Sequence, residues 1–196
     1  GSVRSFVLEN NPALRELTAW ARDRVDHGGA PIKVRLVKGA NLAMEQVDAV
    51  LHGWTPAPYA TKLDTDANYL RCLDEALQPH HIDAVRIGVA GHNLFDIAYA
   101  WLLAGERGVR PRGGQESASV EFEMLLGMAQ GQVQAVSAEV GQVLLYVPVV
   151  RPDEFDVAIS YLVRRLEENA SSENFLSAAF HLADDPALFT REERRF

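Results

Sequence analysis

The run Ile32-Lys33-Val34-Arg35-Leu36-Val37-Lys38-Gly39-Ala40-Asn41 combines two kinds of residue that rarely share a strand, β-branched apolar side chains and cations. A buried parallel strand is normally a near-continuous apolar run, because both of its faces are covered. A lone arginine at position 35 would be costly there unless an anion met it. Lys38 stands at the C-terminal end of the run, where parallel α/β enzymes place their chemistry, and Gly39 closes it. The competing reading is an edge-strand arginine that snorkels to water, beside a surface lysine.

A second signal lies in Tyr161-Leu162-Val163-Arg164-Arg165-Leu166-Glu167-Glu168-Asn169. Adjacent residues on a helix point about 100° apart, so Arg164 and Arg165 cannot both sit in the middle of one solvent face. Two guanidiniums together could grip a carboxylate, with Glu168 within reach of either. A solvated helix with intrahelical ion pairs is the alternative. Further polar residues stand near expected strand ends: His92, Asn93, Glu121, Glu123 and Tyr146. Each also has a plain reading: Asn93 as a helix cap, the two glutamates as partners of Arg35 or Arg86, and Tyr146 as a core aromatic.

The elements that must position these residues repeat one grammar four times. Strands are expected over 32–38, 82–89, 118–123 and 143–148. Helices are expected over 41–52, 65–78, 94–104, 124–138 and 153–169, the second capped by Thr65 or Asp66. An initial helix over 11–25 would belong to a unit whose strand lies upstream, because residues 3–10 do not read as a strand. Strands alternating with helices imply parallel pairing and right-handed crossovers. The fold class is therefore α/β, and four units make half of a (β/α)8-type barrel. A doubly wound sheet competes, although no strand is followed by a Gly-x-Gly-x-x-Gly loop.

The 196 residues are 47% hydrophobic and 23% charged, ordinary for a globular domain. A net charge of −8 argues against nucleic acid as a main partner. The single cysteine, Cys72, rules out an internal disulfide and a cysteine-based zinc site, and fits a reducing cytoplasm. Gly1 and Ser2 read as the remnant of an expression tag.

Taken together, these segments resemble the proline dehydrogenase domain of bacterial proline utilisation A proteins, from about residue 30 to residue 180. Arg35-Leu36-Val37-Lys38-Gly39-Ala40 resembles that family's flavin-site strand, and residues 161–169 resemble its substrate-binding helix. Lys62-Leu63-Asp64-Thr65-Asp66, Gly91-His92-Asn93, Glu121 to Met128 and Tyr146-Val147-Pro148-Val149 fall between them in family order.

The resemblance implies an FAD site and oxidation of L-proline to Δ1-pyrroline-5-carboxylate. It implies that Arg164 and Arg165 hold the proline carboxylate, that Tyr146 packs on the proline ring, and that Glu168 buttresses the arginines or the cofactor. Arg35 and Lys38 would lie beside the isoalloxazine, as catalytic residues together with Tyr146, with Val37, Gly39 and Ala40 along its wall. Lys62, Thr65, His92, Asn93 and Phe175 match segments around the rest of the cofactor. No metal is implied. A quinone or another acceptor would take the electrons, with the full-length protein cytoplasmic and peripheral at the inner membrane.

Two departures from the family pattern stand out. Asn41 occupies a position where many members carry an aromatic residue. No upstream barrel strands are recognisable either.

Three segments are therefore expected. Residues 1–28 hold the tag remnant and a helix of an upstream unit, and 29–180 form the C-terminal half of the barrel. Residues 181–196 form a polar tail towards a downstream domain, an aldehyde dehydrogenase in the longer family proteins. A half-barrel of this kind would self-associate or depend on its missing half. The alternatives are a non-catalytic structural fragment that binds no flavin, or an unrelated phosphate-binding β/α protein.

Overall fold

The computed structural model describes residues 2–4, 10–39, 42–110, 119–147, 149–170 and 174–196, with backbone alone for 2–4, 10, 11, 164 and 167–169. Five strands form one sheet: β1 (Ser2–Arg4), β2 (Ile32–Val37), β3 (Val85–Ala90), β4 (Val120–Leu125) and β5 (Val143–Tyr146). Their spatial order is β1-β2-β3-β4-β5 and every neighbouring pair is parallel. A doubly wound sheet reverses its strand order at a switch point, and this sheet does not. The architecture is a segment of a β/α barrel.

The sheet has one strand more than the four units expected. Ser2–Arg4 pairs with Arg35, Leu36 and Val37 in parallel register, so the strand ahead of the first helix lies within this chain.

Nine helices are present among the described residues: α1 (Asn10–Asp26), α2 (Leu42–His52), α3 (Lys62–Ala76), α4 (Pro79–Ile82), α5 (Leu94–Glu106), α6 (Gln130–Val140), α7 (Phe155–Ala170), α8 (Phe175–Ala179) and α9 (Pro186–Arg195). Several differ from the sequence expectation. The helix expected over 65–78 begins three residues earlier, because Thr61 is its cap: the Thr61 hydroxyl accepts from the Asp64 amide at 3.1 Å. Ile82 ends α4 rather than opening a strand. Met124 and Leu125 extend β4, so the next helix starts at Gln130 rather than at residue 124. A 3-10 turn over Pro152–Glu154 precedes α7.

Residues 181–196 are not a bare tail. Phe189 of α9 and Phe196 pack their rings on Phe95 of α5, with centroids 5.5 and 5.9 Å away.

Side chains alternate across the strands, and the two faces of the sheet have opposite chemistry. The helix-facing side carries Val34 and Leu36 of β2, Val85, Ile87 and Val89 of β3, and Val120, Phe122 and Met124 of β4, all buried. They form one core with Leu14 of α1 and with Tyr69, Leu73 and Ala76 of α3. The opposite side, the barrel interior, carries Lys33, Arg35, Arg86, Glu121, Glu123 and Tyr146.

Apolar surface is left uncovered around β5 and on α7. Leu144, Leu145, Tyr146 and Val147 around β5, and Phe155, Ile159, Leu162 and Leu166 on α7, are exposed. Open strand edges and apolar patches of this kind drive association. In sedimentation, this chain by itself is expected to self-associate; a 21.6 kDa monomer that unfolds cooperatively would contradict that expectation.

Candidate active site

On the interior face the parallel register sets Arg35 beside Gly88, Gly88 beside Glu121, and Ala90 beside Glu123. The Arg35 Nε donates to Glu123 Oε2, and Lys33 pairs with Glu121 and, at 2.9 Å, with Glu123 Oε1. Two cations thus meet two carboxylates in the interior, which answers how a strand can hold Arg35. Arg86 is not the glutamates' partner here. Between these strands, Gly88 makes room: a Cβ there would stand 3.1 Å from the Glu123 carboxyl carbon and closer still to Oε1. Above the ion pair, the Arg35 guanidinium carbon lies 4.0 Å from the centre of the Tyr146 ring, a cation–π contact. Tyr146 is 41% exposed, so it is a surface-facing aromatic rather than a core one.

Lys38 lies elsewhere. Its ammonium is 2.6 Å from Asp66 Oδ1 on α3 and 2.7 Å from Asp96 Oδ2 on α5, and it sits over the ring of Tyr69. These partners belong to the helix layer, on the side of the sheet opposite Arg35. Lys62 pairs with the other Asp66 oxygen, so one carboxylate links the two lysines. Burial by itself would lower the Lys38 pKa, but the Asp96 and Asp66 carboxylates outweigh it and leave it raised. Burial pushes Asp96 up, partly offset by Lys38. Lys38 thus forms a buried tie between a strand end and two helices. Asp96 carried no signal of its own; an acid in the first turn of a helix is common wherever the macrodipole favours it.

His92 follows β3. Its Nε2 accepts the Leu125 amide of β4 at 2.9 Å, which places the neutral ring's proton on Nδ1. That Nδ1 is buried and has no hydrogen-bond partner among the described residues. Burial lowers the His92 pKa, so the neutral ring is favoured in the folded state. The stability this contributes is fully present above the ordinary value of 6.5 and is lost as pH falls below it. Between pH 7 and pH 5 in urea titrations, wild type is expected to lose more stability than His92→Gln; equal losses would count against it.

Asn93 is the cap of α5, its Oδ1 accepting the Phe95 amide at 2.9 Å. Thr65 donates its hydroxyl to the Thr61 carbonyl at 3.2 Å. Val37 is half-buried, and Gly39 adopts φ +120°, a conformation that favours glycine. Phe175 is buried at the start of α8, edge-on to Phe95 with centroids 6.1 Å apart. Arg165 of α7 lies 5.1 Å from the centre of the Tyr161 ring. Ala40 and Asn41, and the side chains of Arg164 and Glu168, lie outside the described residues. The structure thus brings Arg35 to Tyr146, joins Lys38 to Lys62 through Asp66, and seats His92 against β4.

A sequential parallel sheet with a charged interior face, an aromatic over an arginine, and a capped helix after β3 defines a segment of a β/α barrel. The family model described as "Proline dehydrogenase" matches residues 5–178, and the chain belongs to that family. Among solved structures, proline utilization A from Corynebacterium freiburgense is 48% identical, with a TM-score of 0.80 over all of this chain and 18% of that one. The enzyme from Bdellovibrio bacteriovorus, solved after inactivation by N-propargylglycine, is 31% identical with a TM-score of 0.76, covering 94% of this chain and 18% of that one. Human mitochondrial proline dehydrogenase 1 is 34% identical over 139 residues, which cover 70% of this chain and 22% of that protein. This chain therefore spans a small fraction of each of these relatives.

Proposed function

We propose that this chain forms the C-terminal wall of an FAD-dependent enzyme that oxidises L-proline to Δ1-pyrroline-5-carboxylate. The observation that carries the reading is the stack of Arg35 beneath Tyr146 on the barrel interior. In that arrangement a fixed cation and an aromatic face the same cavity side.

The residues fit a flavin dinucleotide. The buried Nδ1–H of His92 lacks a partner among the described residues and offers a donor. The N-termini of α3 and α5, with Lys62 at the first, suit phosphate oxygens. Gly39, Val37 and the Ala40 position would supply backbone along the ring, with Thr65 and Phe175 near the remainder. FAD, when bound, would supply a hydride acceptor for the oxidation of proline at C5, with the second hydrogen leaving the ring nitrogen as a proton.

The chain's own side chains position and polarise. Arg164 and Arg165 would bind the proline carboxylate, which holds C5 in one place and makes the reaction effectively unimolecular. Glu168 would steady these arginines. Tyr146 would cover the apolar edge of the proline ring and exclude water. Arg35 would stabilise the negative charge that develops on the acceptor, where a preorganised cation away from water has its largest effect. Lys38 supports this wall from behind rather than touching the substrate.

The remaining barrel strands would complete the cavity. The proposal places the full protein in the cytoplasm and at the inner membrane, with a quinone as electron acceptor. A downstream aldehyde dehydrogenase domain would consume the product.

Arg165→Met, in a protein carrying the complete barrel, tests the substrate assignment. Loss of one charge-assisted hydrogen bond should raise the KM for L-proline by about 10- to 100-fold with FAD uptake unchanged. An unchanged KM would remove Arg165 from the substrate site.

A further inference from the structure

Glu123 is the most deeply buried carboxylate of the barrel interior. Its side chain is 1% exposed, yet it lies on a face that must also admit substrate. Removing a carboxylate from water is costly, and an enclosed apolar side chain of similar size would be cheaper if packing were its only role. Its surroundings are cationic and shaped to it: Lys33 lies against one oxygen, the Arg35 Nε donates to the other, and the empty Cβ position of Gly88 lies beneath. The Nε bond holds the guanidinium by one edge only. Among the described residues its Nη groups donate no hydrogen bond, while its face lies against Tyr146.

We infer that Glu123 is a positioning residue that fixes Arg35 under Tyr146 across Gly88 and moderates the positive charge Arg35 presents to the site. The inference rests on the flavin reading above for its functional consequence, but not for its geometry. A guanidinium anchored through Nε has one orientation, so its Nη groups point to one place in the cavity. The carboxylate's negative charge also opposes the stabilisation that Arg35 gives to reduced, anionic flavin. Replacing it with an amide of the same shape keeps an oxygen acceptor for Nε and deletes the charge.

Two readouts in the complete-barrel protein separate geometry from cofactor. In the flavin-free protein, the Arg35 Nε–H resonance of nitrogen-15-labelled sample should exchange slowly in wild type and in Glu123→Gln. It should lose that protection in Glu123→Ala and in Gly88→Ala, where the added methyl displaces the carboxylate. In the flavin-loaded protein, Glu123→Gln should favour the reduced form about tenfold, a midpoint shift of about +30 mV for a two-electron couple.

Protection that survives Glu123→Ala would overturn the positioning role, and an unmoved or lowered potential in Glu123→Gln would overturn the charge role. A merely structural Glu123 would change stability without moving the potential. Failure of wild type to take up FAD would instead sink the flavin reading, and the resonance comparison would still decide whether Glu123 holds Arg35.

Discussion

Lys38→Met is expected to destabilise the domain by about 3–5 kcal/mol, the cost of leaving buried charges without their partner. Lys38 is the ammonium shared by Asp66 and Asp96, whose side chains are 11% and 9% exposed. Methionine fits the volume but leaves Asp96 without a cation at 2.7 Å and Asp66 with Lys62 alone. The lost tie links three elements at once: the C-terminal end of β2, α3 and α5. Urea unfolding followed by circular dichroism would measure the cost.

The pH dependence of Lys38 has a definite sign. Its pKa is raised above 10.5 in the folded state, so the stability it contributes is present below 10.5 and is lost as pH rises through the folded value. Wild type should therefore lose its advantage over Lys38→Met only in strong alkali. A double change that also neutralises Asp96, Lys38→Met with Asp96→Asn, should recover part of the loss. A cost under 1 kcal/mol for Lys38→Met would mean that the tie is solvated and adds little, as exposed pairs do.

Arg35→Ala should produce the larger functional effect. Deleting one preorganised charge aimed at a developing anion typically lowers kcat by about 10²–10³. Here the substitution also removes the cation beneath Tyr146 and leaves Glu123 with Lys33 alone. Proline oxidation in the complete-barrel protein should fall by that factor, with the KM for proline changing far less than in Arg165→Met. Arg35→Lys should recover little, because an ammonium cannot reproduce the edge-on Nε bond while stacking on a ring. A kcat within threefold of wild type would place Arg35 outside the reacting centre.

How far the sequence reached can be argued from these same residues. The β-branched apolar residues of 32–37 made β2 legible, and the cation in its centre called for an anion, which Glu123 supplies. The repeating strand–helix grammar pointed to parallel pairing, but the choice between barrel and doubly wound sheet depends on strand order, which periodicity does not encode. Boundaries failed where local caps decide them: Thr61, with its acceptor role towards Asp64, outranked Thr65 and Asp66. The strand Ser2–Arg4 is too short to carry a pattern and exists through its pairing with β2.

The partners of Lys38 were not legible. In a strand, two residues of separation keep a side and three reverse it, so Lys38 falls on the opposite face from Arg35. The count was available in the sequence, but the partners that make that face habitable for a charge, Asp66 and Asp96, come from helices 28 and 58 residues onward in the chain. Gly88 was equally silent, because a glycine inside a strand announces a close approach without saying of what.

The central claim is that this chain supplies a flavin- and proline-facing wall built on Arg35 and Tyr146. Absorbance spectroscopy tests it most directly: purified protein is mixed with FAD, freed of excess cofactor, and given L-proline without oxygen. The account predicts a retained flavin band that bleaches on addition of proline when the barrel is complete, and that does so far more slowly in Arg35→Ala. A complete-barrel protein that retains no flavin, or whose flavin band is indifferent to proline, would contradict it.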